Sequence, residues 1–88
     1  PHVSQVKPVV LVVEDDGAVR VGIGRLLRFA GFDAREYPSG AAFLAACAPG
    51  DGACLLVDAQ MPGMDGDEVV RRWRALGART PVIVVTAY

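Results

Sequence analysis

Three short apolar runs, rich in β-branched residues, constrain this chain more than anything else in it: Val9-Val10-Leu11-Val12-Val13, Ala53-Cys54-Leu55-Leu56-Val57 and Val82-Ile83-Val84-Val85. They are too short for helices and carry no polar alternation. The first two therefore predict strands buried on both faces, the pattern of a parallel sheet covered by helices, and the last predicts a further strand. Each also gives way at once to an oxygen-bearing side chain: Glu14-Asp15-Asp16 after the first run, Asp58 after the second and Thr86 after the third. None approaches the length of a membrane span.

Helical spacing fills the gaps between the runs. From Ala18, the residues Val19, Ile23, Leu26, Leu27 and Ala30 form one apolar stripe, closed by Gly31. Phe32 to Tyr37 alternates weakly with charge and reads as an exposed edge strand. Pro38-Ser39-Gly40 supplies a turn and a cap for an Ala-rich helix over Ala41 to Ala48, halted by Pro49-Gly50. A third helix starts at Asp65-Gly66-Asp67-Glu68 and presents Val69, Val70, Trp73 and Leu76 on one face up to Gly77. Strands and helices thus alternate, which predicts an α/β, doubly wound parallel sheet joined by right-handed crossovers.

Eighty-eight residues suit one small domain, preceded by a tail over residues 1–7 with no apolar leader core. With 9 basic and 10 acidic residues the net charge is −1, so this stretch lacks the basic excess that direct nucleic-acid binding needs. A protein or a small ligand is the expected partner, with no membrane contact. Cys47 and Cys54 form no C-x-x-C pair and read as reduced core thiols, which suits the cytoplasm. His2 is the one histidine and falls in the tail, which argues against serine or cysteine hydrolase chemistry. Arg71, Arg72 and Arg74 read as a solvated helix face around Trp73.

In parallel α/β sheets, ligands bind beyond the carboxyl ends of the strands. Here that edge receives Glu14, Asp15, Asp16, Asp58 and Thr86. Gathered carboxylates repel one another unless a proton or a cation compensates, and an all-oxygen set favours Mg²⁺. Phosphoryl transfer is the chemistry that follows, with Asp58 the best-placed nucleophile at the end of a buried strand. Taken singly, Glu14-Asp15-Asp16 and Asp58 could equally be helix caps or solvated loop charges. Their joint occurrence at neighbouring strand ends favours function, whereas Asp65, Asp67 and Glu68 suit the first turn of a helix.

At this point the chain resembles a family, the response regulator receiver domain of bacterial two-component signalling. The resemblance rests on Val9 to Asp16, on Leu55-Leu56-Val57-Asp58-Ala59-Gln60-Met61-Pro62-Gly63-Met64-Asp65-Gly66 and on Pro81 to Ala87, in order and suitably spaced. It implies a flavodoxin-like (CheY-like) fold and a phosphorylation-controlled switch rather than an enzyme. Asp58 matches the phosphoacceptor, charged by a sensor histidine kinase. Asp15 matches the direct ligand of Mg²⁺, Glu14 an acid acting through water, and Gln60 a ligand through its backbone carbonyl. Thr86 matches the switch hydroxyl, Ala87 the small residue beside it, and Pro62 and Gly63 the site loop. Phe29-Ala30-Gly31-Phe32 and Ser39 to Leu44 further resemble receivers that precede a helix-turn-helix output domain, implying a role in transcription.

The resemblance runs out after the fourth strand. Receivers continue with a helix, a fifth strand carrying an essential Lys, and a final helix, so residues 8–88 read as an incomplete receiver. Lys7 cannot supply that cation, since eight extended residues separate it from Asp15 by about 25 Å. The expectation is a piece of a longer protein, or a dimer formed through the exposed edge of the fourth strand. Two rival functions are an interaction module that takes no phosphate and a Mg²⁺-dependent phosphohydrolase like the haloacid dehalogenases. The second expects an Asp where this chain has Gln60.

Overall fold

The computed structural model of the chain describes residues 6–86, so the expectations for His2 and Ala87 lie outside the described residues. Seven elements alternate as expected: β1 (Val9–Val13), α1 (Gly17–Phe29), β2 (Asp33–Tyr37), α2 (Gly40–Ala46), β3 (Cys54–Asp58), α3 (Gly66–Ala75) and β4 (Val82–Val85). All strand pairs are parallel, in the order β2-β1-β3-β4. The weakly alternating β2 is an outer strand, as its charges suggested.

Pairing brings the carboxyl ends of the strands level. Val13 lies beside Tyr37 on one side and Val57 on the other, and Asp58 lies beside Val85. The bond from the Ala59 amide to the Val85 carbonyl, 2.8 Å, extends this ladder to the edge where Asp58 and Thr86 emerge.

Alternation along the strands divides the core into two layers. Leu11, Val13, Leu55 and Val57 join Phe43 and Cys47 near α2 and Val69 and Trp73 of α3 in one buried cluster. Trp73 is fully buried, its ring centroid 4.7 Å from that of Phe43, and its indole N–H donates to the Thr80 hydroxyl at 3.3 Å. Val10, Val12 and Ala34 are buried on the opposite face, where α1 packs on β1 and β2. Each helix has a side-chain cap: Asp16 accepts from the Val19 amide, Ser39 from Ala42 and Asp65 from Glu68.

Some expectations need correction. Only Ile23 and Leu27 of the α1 stripe are half-buried, while Val19 (47%) and Leu26 (71%) remain exposed. The cause is the seat of the helix over β1 and β2, which turns one flank of the stripe away from every described element it packs on. Leu76 is likewise exposed, because it forms the cap of α3 where the chain turns away through Gly77 in a left-handed conformation (φ +97°). Helix α2 stops at Ala46, short of the expected Ala48, and Asp58 is the last residue of β3 rather than the first beyond it. Arg71 and Arg72 form exposed pairs with Asp67 and Glu68 one helical turn away, as a solvated face should.

Candidate functional site

The acidic residues converge as the strand ends predicted. One carboxylate oxygen from each of Glu14, Asp15 and Asp58 lies within 4.8 Å of those of the other two. These residues line a cleft of about 450 Å³ that Asp16, Val85 and Thr86 also border. Glu14 is buried, Asp58 half-buried and Asp15 exposed, so the set runs from the end of the sheet outward to solvent.

Each carboxylate is oriented by the local backbone. Glu14 continues β1, its amide donating to the Tyr37 carbonyl at 3.1 Å. Its carboxylate accepts the Asp16 amide, also at 3.1 Å. Asp58 ends β3 and its Oδ1 accepts the Gln60 amide at 3.1 Å. The contact that Gln60 makes in this structure is therefore through its N–H. Asp16 belongs to the helix, as the cap of α1, rather than to the carboxylate cluster.

Pro62 and Gly63 are exposed, Gly63 in a left-handed conformation (φ +79°), and with Asp15, Pro38 and Ser39 they line a neighbouring cavity of about 280 Å³. Two contributors were missed from sequence. Gly66 packs on the Asp58 and Ala59 backbone, so closely that a Cβ there would meet it. Arg20 donates to the Glu14 carbonyl at 2.8 Å from α1, five residues beyond Asp15. The first was visible as a glycine at the start of a helix, where propensity disfavours it. The second carried no signal, since an arginine one turn into a helix is ordinary surface.

Burial, reinforced by the nearby Asp15 and Asp58 and opposed by the Asp16 amide, pushes the Glu14 carboxyl up from 4.5 to about 7. Between these two values the folded chain holds a proton that the unfolded chain has released, so the cation-free fold loses stability as pH rises through that window. The loss is about 3 kcal/mol at most. Glu14→Gln is expected to flatten this dependence and to stabilise the cation-free fold above neutral pH. Urea unfolding in a chelator at about pH 5 and about pH 8 checks it, and an equal slope in both proteins would refute it.

Three clustered carboxylates, one buried and inclined to keep its proton, fit a hard divalent cation: the donor set is all oxygen and its repulsion demands compensation.

The comparisons agree with this geometry. The family model described as the response regulator receiver domain matches residues 10–88. The chain is 40% identical over 77 residues to the transcriptional regulatory protein FixJ of Azorhizobium caulinodans, covering 88% of this chain and 36% of that protein. It spans well under half the length of the curated relatives it matches. Among solved structures, a response regulator receiver protein from Burkholderia phymatum is similar at 45% identity and TM-score 0.77, over 93% of this chain and 67% of that one. The chemotaxis protein CheY4 of Vibrio cholerae is similar at 26% identity and TM-score 0.87, over 94% and 71%. The match over residues 10–88, nearly the whole of the chain, makes it a member of the response regulator receiver domain family.

Proposed function

We propose that the chain is the phosphoryl-accepting switch of a two-component system, with Asp58 as the acceptor. The convergence of Glu14, Asp15 and Asp58 within 4.8 Å carries this reading. One Asp58 carboxylate oxygen bonds to phosphorus as the P–N bond of a kinase phosphohistidine breaks, the electron pair leaving on the imidazole nitrogen, which takes up a proton. Glu14, Asp15 and Asp58, with the backbone carbonyl of Gln60, would hold Mg²⁺, which when bound supplies neutralisation of charge on the transferring group.

Thr86 borders the same cleft and offers a hydroxyl to the phosphoryl oxygens, and new charge-assisted contacts of that kind shift a pre-existing equilibrium between two arrangements. The outcome is a signal, not turnover, so the domain acts as a switch rather than an enzyme. The partners are a sensor histidine kinase and an output domain or protein, the latter transcriptional, given the FixJ relative. Cytoplasmic placement belongs to the same proposal. No helix among the described residues is long and apolar enough to cross a membrane.

Incubating the full-length protein with Mg²⁺ and acetyl phosphate tests it. Intact mass is expected to rise by one phosphoryl group that hydroxylamine removes, as it does from an acyl phosphate. An unchanged mass would favour an interaction module that takes no phosphate.

A further inference from the structure

We propose that Arg20 is a positioning residue of the acidic site, holding the backbone of Glu14 and Asp15 so that their carboxylates converge on Asp58. This rests on the cation chemistry proposed above for the same site. Arg20 stands near the start of α1, and helical side chains lean back toward the amino end of their helix. The lean carries its guanidinium past Gly17, where a Cβ would lie 3.6 Å from Nη2, and on to the end of β1. There Nη1 donates to the Glu14 carbonyl at 2.8 Å and, more loosely, to the Asp15 carbonyl at 3.4 Å.

The two peptide groups held in this way belong to two of the three residues in the carboxylate cluster. Glu14 is thereby fixed at three points: its amide on Tyr37, its carboxylate on the Asp16 amide and its carbonyl on Arg20. Asp15, exposed and at the mouth of the cleft, has the Arg20 contact to its carbonyl as a brace on the loop that aims it. A guanidinium suits this task, since its donors form a rigid fork. Arg28 on the same helix is the natural comparison. Its Nη2 donates to the Ala34 carbonyl at 3.1 Å and to the Glu36 carboxylate at 3.0 Å, the same chemistry used to fasten α1 to β2 outside the cluster of Glu14, Asp15 and Asp58.

Calorimetric titration of Mg²⁺ into the full-length protein, below its melting temperature, separates positioning from plain stability. Arg20→Met is expected to weaken the Mg²⁺ Kd about tenfold, the range for losing an outer-shell support. Arg28→Met is expected to lower the Tm at least as far while leaving the Kd unchanged. Where Arg20→Met fails to fold, the shorter but polar Arg20→Gln carries the same comparison. A Kd unmoved by loss of the guanidinium, or moved equally by Arg28→Met, overturns the role of Arg20. Absence of Mg²⁺ binding by the unsubstituted protein, or undiminished binding by Asp15→Asn, overturns the cation site itself and this inference with it.

Discussion

Asp58→Asn is expected to abolish phosphoryl uptake from Mg²⁺ and acetyl phosphate while leaving the fold intact. Asparagine keeps the shape of the side chain and its Oδ1 can still accept the Gln60 amide, so β3 and its pairing with β4 are undisturbed. What disappears is the anionic oxygen that attacks phosphorus, and an amide oxygen does not replace it as a nucleophile. The same substitution removes one of the charges that hold the Glu14 carboxyl up. The variant should therefore show a lower Glu14 pKa and weaker Mg²⁺ binding alongside its loss of modification. Intact mass, read with and without hydroxylamine, checks the first effect. Undiminished phosphorylation of the variant would move the acceptor to another residue.

The second large effect is expected at Gly66. The amino end of α3 is pressed onto the strand end that carries the acceptor: the Gly66 amide donates to the Ala59 carbonyl at 3.1 Å. A Cβ added there would lie 2.9 Å from the Ala59 Cα and 3.0 Å from the Asp58 carbonyl carbon, and would collide with the Asp58 carbonyl oxygen. The obstacle is backbone, which cannot swing aside as a flexible side-chain end does. Gly66→Ala is therefore expected to cost about 3 kcal/mol, the upper part of the usual overpacking range. Relief of the clash must shift the helix end or the strand end that carries Asp58, so phosphorylation is expected to slow even in the folded fraction. Gly22→Ala is the control. It lies inside α1 with nothing within 4 Å of the added carbon, and there alanine is expected to stabilise the fold by up to about 1 kcal/mol. Urea unfolding of both variants decides the matter, and similar midpoints for the two would refute the argument.

Element order and strand ends were legible from the sequence because burial on both faces leaves no polar residue in β1 and only the terminal Asp58 in β3, and such runs have few alternatives to a central parallel strand. The acids were legible for a related reason: strands that end at Val13, just before Glu14, and at Asp58 can deliver these acids to one edge only. The burial of α1 was not. Its stripe has the spacing of a covered face, yet Val19 and Leu26 stay exposed, since periodicity states which side of a helix is apolar and says nothing of how much sheet lies beneath it. Arg20 was equally invisible, because a bond from a side chain to a main-chain carbonyl depends on the shape of a turn, which residue type does not encode. Gly66 stood in the quoted motif, but its reason, a contact between a helix end and a strand end, exists only once the two are docked.

The aromatic cluster has a practical corollary. Trp73, the single tryptophan of the chain, is shut away beside Phe43 and borders neither the acidic cleft nor the cavity next to it. Its fluorescence is expected to be blue-shifted in the folded state, to redden on denaturation and to ignore titration of the carboxylates. The molecule thus carries an intrinsic optical probe of its packing that is decoupled from its chemistry, so a substitution at the strand ends can be judged for folding and for function in one cuvette.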